Sequence, residues 1–195
     1  MDKFLEVLYD KFILRDVISK IIPGFLYFFF VGYILFGSDI VEFLNNNRLL
    51  IIILLGLSWI MAFVLQSLGE FLRLTKTRPH NIDKSTGDKR KIIFLEKSTP
   101  EEKTLYERFV VIKEATGNLG MSILAIYGTI LITLPYTICG NISKLSFEKS
   151  LLIISIVIIS LLIALLSLRM HRKFVKEQND ILNAVLNNKN VDIPS

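Results

Sequence analysis

LLIIILLGLSWIMAFVLQSLG, residues Leu49 to Gly69, runs for 21 residues without a charge, and its reading decides the fold. At about 1.5 Å rise per residue, a helix of that length covers roughly the 30 Å of a bilayer's hydrocarbon core. A soluble helix breaks such a run with polar positions at every turn. Three further stretches share its character: Ile21 to Ser38, Ala115 to Ser143 and Ser150 to Leu168, of 18, 29 and 19 residues. Backbone polar groups in lipid are satisfied only by helices or closed barrels. These runs are continuous, not alternating as barrel strands are. The sequence therefore predicts an all-α integral membrane four-helix bundle, with spans at 21–38, 49–69, 115–138 and 150–168.

Outward from the spans, the basic residues are unevenly shared. Of 23 lysines and arginines, 20 lie before the first span, between the second and third, or after the fourth; three lie in the other two connections. The positive-inside rule then places both termini and the long loop 70–114 in the cytoplasm, as in a multi-pass protein of a bacterial inner membrane. Orientation explains the net charge of +5 without nucleic acid. No cleavable signal is expected, because Asp2, Lys3, Glu6 and Asp10 mix signs ahead of the first run. The lone Cys139 makes neither an intramolecular disulfide nor a metal cluster and reads as packing.

Residues 1–20 combine Phe4, Leu5, Leu8, Phe12, Leu14, Val17 and Ile18 with charges of both signs, the pattern of an amphipathic helix lying in the interface. Pro23 and Gly24 are expected to mark its turn into span one. The second helix is expected to project past the membrane and end near Arg78 and Pro79. Pro79 to Lys91 reads as a loop around Gly87, and Lys91 to Leu95 as an apolar patch that docks on the bundle. Thr99, Pro100, Glu101 and Glu102 then make a helix start, from which one rod enters the membrane, with a kink expected at Thr129, Thr133 and Pro135. Residues 169–195 form a helix and tail, with Phe174, Ile181, Leu182, Val185 and Leu186 on one side. That stripe needs a cover, either from this chain or from a partner.

Two constellations are candidate sites. Gln66 and Glu70 on span two, and Glu114 and Asn118 on the third helix, share four-residue spacing at the same membrane boundary. Polar groups at that depth are expected to face inward, toward Arg73 or Lys113, as a hydrogen-bonded clasp or as the lining of a conduction path. A clasp is dry; a path keeps its carboxylates in water. The second set, Arg73, Lys76, Arg78, Lys84, Lys89, Arg90 and Lys91, suits anionic headgroups, with a nucleotide-linked partner as a further candidate. It lacks the interleaved aromatics of a nucleic-acid surface, so direct nucleic-acid binding is not expected. Gly117, Gly120, Ser122, Ala125 and Gly128 on span three, and Ser160, Ala164 and Ser167 on span four, read as helix-packing faces.

No nucleophile elbow, zinc motif or phosphate-binding glycine loop is present. His80 and His171 lie in separate segments, and His171 reads as solvated or facing headgroups. No catalytic residue, metal or cofactor is expected. In its topology of four spans, both ends inside, one basic loop and no enzyme motif, the chain resembles the small four-span membrane proteins that accompany prokaryotic antiviral systems, including accessory proteins beside the RNA-guided ribonucleases of type VI CRISPR loci. The resemblance implies an oligomeric membrane-acting effector or regulator that perturbs the envelope or modulates a cytoplasmic nuclease. The residues themselves lead to a non-enzymatic, self-associating protein that controls permeability or relays a cytoplasmic signal. The alternative is a membrane scaffold that recruits a cytoplasmic protein through the basic loop and the C-terminal helix.

Overall fold

The computed structural model describes residues 14–37, 39–75, 84–141 and 147–188, and these are almost entirely helical. The first helix, α1, joins Leu14–Asp16, a π-helical turn Val17–Ile21 and Ile22–Phe36 into one continuous element. A short α2, Asp39–Asn46, leads into α3, Arg48–Phe71; then come α4, Lys84–Lys97, α5, Pro100–Asn141, and α6, Phe147–Asn188. Among the described residues, four helices are long and apolar enough to span a membrane: Val17–Phe36, Leu49–Phe71, Pro100–Ile132 and Ser155–Asn188. The helix α5 is the hub, packing against α1, α3 and, over the greatest length, α6. Both α5 and α6 hold 42 residues, about 63 Å of rod, twice the thickness of a hydrocarbon core.

Several boundaries differ from the sequence reading. The described part of residues 1–20 is no separate surface helix, since residues 14–20 are the first turns of α1; residues 1–13 lie outside the described residues. The apolar helix accordingly begins at Val17, ahead of the expected start at residue 21. Nor does the chain turn at Pro23 and Gly24. Ile21 and Ile22 keep right-handed helical torsions, and the Ile22 N–H donates to Val17 O, the five-residue reach of a π turn. Such a widened turn lets proline sit inside a helix. Lys20 within it bonds Asp16 at 2.9 Å and stands 4.7 Å from the centre of the Phe63 ring.

The helix α3 stops at Phe71, short of Arg78. Leu74 N–H reaches back to Gly69 O, and Arg73 N–H to Glu70 O. With Arg73 at φ 57° this is a Schellman ending, in which a left-handed residue satisfies the last carbonyls. The expected loop 79–91 is also overturned where it is described, because Lys84 opens α4 and Gly87 lies inside it. Glycine costs a helix about 1 kcal/mol, and tertiary packing outweighs that: Phe94 is fully buried against Tyr106, Leu182, Val185 and Leu186. Lys91 to Leu95 docks as expected through this phenylalanine.

The start of α5 matches its reading. Glu102 N–H donates to Thr99 Oγ1 at 3.3 Å and Thr99 N–H to Glu102 Oε2 at 2.7 Å, a reciprocal capping box. The rod then runs through Pro135 to Asn141. Thr129 Oγ1 donates to Ala125 O at 3.0 Å. Cys139 falls where only the backbone is described, and residues 142–146, expected as the turn between spans three and four, and 189–195 lie outside the described residues.

Candidate functional site

The polar interior is a seam between α1 and α5, which run in the same direction. Both helices present groups at four-residue intervals, and the intervals coincide. Arg15 pairs with Glu114 at 3.2 Å, Asn118 Nδ2 donates to Ser19 O at 2.7 Å, and Ser122 Oγ donates to Pro23 O at 2.8 Å. Each rung joins residues 99 apart in sequence. The middle rung has a direct cause in the sequence. Pro23 has no N–H to offer the carbonyl four residues back, Ser19 O, and Asn118 supplies a donor to it. Asn118 is 2% exposed and Ser122 wholly buried, so both act where an unpaired carbonyl would be costly.

This geometry corrects the expected pairing. Gln66, Glu70, Glu114 and Asn118 do border one small cavity of about 30 Å³, but they do not bond across it. Glu114 and Asn118 turn to α1. Gln66 reaches only Glu70, at 3.5 Å on its own helix, and Glu70 is exposed instead of inward. Neither Arg73 nor Lys113 makes the ion pair with Glu114; Arg15 does. Arg73 is occupied in ending α3.

On the opposite side of α5, glycines admit α6. A Cβ on Gly117 would fall 2.7 Å from His171 Nδ1, and one on Gly120 2.9 Å from Leu168 Cγ. The small faces read from sequence at Gly117, Gly120 and Ala164 are thus contact surfaces, whereas Gly128 has open space around it. His171 is buried, not solvated, and its Nδ1 lies 2.8 Å from Lys113 O. The slot left by Gly117 receives the ring. Lys113, 7% exposed, donates to Gln178 Oε1 at 2.9 Å. Tyr127 donates to Val157 O at 3.1 Å and also contacts Ser160 Oγ.

The basic set is dispersed. Arg73, Lys89 and Lys91 are exposed, while Arg90 turns inward and donates to Asn183 Oδ1 on α6. Lys84 opens α4, and Lys76 and Arg78 lie outside the described residues. The C-terminal stripe is covered by this chain: Leu182, Val185 and Leu186 are buried with Phe94 and Tyr106, and Phe174 stacks near Phe109 at 5.7 Å. Among the described residues, no group of three His, Cys, Asp or Glu side chains is placed to hold a metal. Arg15, His171 and Gln178 were missed as site members, and Lys113, expected to meet the acidic set, bonds Gln178 instead. The available signal was the equal spacing of Arg15, Ser19 and Pro23 with Glu114, Asn118 and Ser122. No family model matches the chain, and no match is found among curated proteins or solved structures.

Proposed function

We propose that the chain is a non-enzymatic, multi-pass protein of the bacterial inner membrane that relays a cytoplasmic signal into the bilayer, with both termini in the cytoplasm. One observation carries this reading: α5 and α6 are uninterrupted 42-residue helices that join the apolar bundle to a module of α4 and the two helix ends. A displacement of that module travels along packed rods, not through a loop. The outward faces of the apolar half support insertion. Ile52, Ile60, Ile159 and Leu165 are each more than half exposed, and hydrocarbon is the solvent that accepts them.

The seam favours a clasp over a pore within one chain, since each of its three rungs is closed by a direct ion pair or hydrogen bond. Control of permeability therefore requires an assembly of several copies, with the path between them. Action as an effector or regulator in antiviral defence, which the topological resemblance implies, would use the same output. The scaffold alternative loses one of its two surfaces, because the C-terminal stripe is occupied internally, and keeps the exposed basic residues Arg73, Lys89 and Lys91. Purified full-length protein reconstituted in liposomes is expected to be oligomeric and to release an entrapped dye. Monomers in mild detergent together with tight, protein-loaded liposomes would overturn the proposal.

A further inference from the structure

Beside the seam, and sharing its Arg15–Glu114 rung, lies a cavity of about 210 Å³ bordered also by Arg90, Lys91, Lys113 and Asp88. Its four cations come from three separate helices, α1, α4 and α5. Among the described residues that border it, two carboxylates oppose them, and Glu114 is already paired with Arg15. Two guanidinium groups are pinned at one corner each, Arg15 to Glu114 and Arg90 to Asn183. Guanidinium and ammonium groups converging on one cavity from separate helices are the arrangement that recognises oxyanions.

We infer that this cavity binds a phosphate-bearing anion, held by Arg15, Arg90 and Lys91 with Lys113 at its wall. Size limits the ligand. The space is below the roughly 300–1,000 Å³ of pockets for drug-sized molecules, and fits one phosphate with a short substituent. Position supplies a source: Arg15 precedes the apolar helix at Val17, and Lys113 and Glu114 adjoin the apolar run that begins at residue 115, the level of lipid headgroups on the membrane reading. The phosphate chemistry is shared by an anionic headgroup and a soluble phosphate. Only the first source rests on the membrane reading. Bound there, the anion bridges α4 to α1 and α5, and so couples the charged module to the seam.

The test follows thermal unfolding of the full-length protein in neutral detergent with inorganic phosphate, with phosphatidylglycerol, or with phosphatidylcholine, at matched ionic strength in chloride. A saturable rise in midpoint is expected with phosphate, with phosphatidylglycerol, or with both; the pattern identifies the source. Lys91→Gln, at an exposed position, is expected to weaken apparent affinity about tenfold and the double change Arg90→Gln with Lys91→Gln about a hundredfold or more, while Lys89→Gln, which does not border the cavity, leaves it unchanged. The inference is overturned if neither anion exceeds chloride, or if Lys89→Gln and Lys91→Gln weaken binding equally. The inorganic phosphate arm needs no bilayer, so a failure of the membrane reading is seen separately.

Discussion

The two ends of the α5–α6 pair sort their residues in opposite ways. At the charged end, Phe94, Tyr106, Leu182, Val185 and Leu186 are inside, and Glu101, Glu107, Arg108, Lys173 and Lys176 are outside. Toward the other end most of the interior is small or polar, with Ser19, Ser58, Ala62, Asn118, Ser122 and Ala164 buried beside Leu65 and Met121. Large aliphatic residues cover the outside there. A core of the first kind follows from water, in which burying a large apolar side chain gains about 1.5–3 kcal/mol. In hydrocarbon that gain vanishes, and helices associate through close backbone approach and internal hydrogen bonds. The closest approach illustrates it: a Cβ on Gly24 would stand 2.0 Å from Ser58 O. On the proposed membrane reading, one chain therefore holds two folding problems, each solved for its own solvent.

The largest expected effect tests the water-facing half. Phe94→Ala empties the centre of the charged module and should cost about 3–5 kcal/mol there, read as faster amide exchange in α4 while α1 and α3 stay protected. Equal loss of protection everywhere would mean that the two ends form one cooperative unit. Next is Ile159→Arg on the outward face of α6, expected to oppose insertion by about 2.5–3.5 kcal/mol. A protease-protection assay on membranes reads it, and full insertion of the variant would break the contrast in solvents. Asn118→Ala leaves Ser19 O without its donor and should cost about 1–3 kcal/mol, measured as a lower thermal midpoint in detergent; an unchanged midpoint removes the seam as a source of stability. Smallest is Thr99→Ala, about 0.5–2 kcal/mol. Its effect should stay at the start of α5, visible as exchange of the first turn.

Much of the architecture could be read from residue order, and the failures have identifiable causes. The four long apolar helices, the capping box at Thr99 and Glu102, and the docking of Lys91 to Leu95 all depend on near neighbours in sequence. Pro23 was misread as a breaker because its cost is cancelled by a π turn and by Asn118, a residue 95 positions away. Gly87 was misread for a similar reason, since Phe94 and Arg90 fasten its helix to α6. At the candidate site, four-residue spacing showed that Glu114 and Asn118 share a face. It could not say which helix that face meets, and α1 competes with α3 for it.

Residue order alone is enough for the four long apolar helices, the capped start of α5 and the uneven placement of charge along the chain. Hydrophobicity and helix periodicity are local properties, so they survive without knowledge of neighbours. Packing between separate helices set the pairing of Arg15, Ser19 and Pro23 with Glu114, Asn118 and Ser122, the burial of His171, and the convergence of basic side chains on one cavity. Those depend on the relative rotation and register of separate helices. A shift of one residue turns a helix by about 100°, and only packing of the whole selects among such rotations.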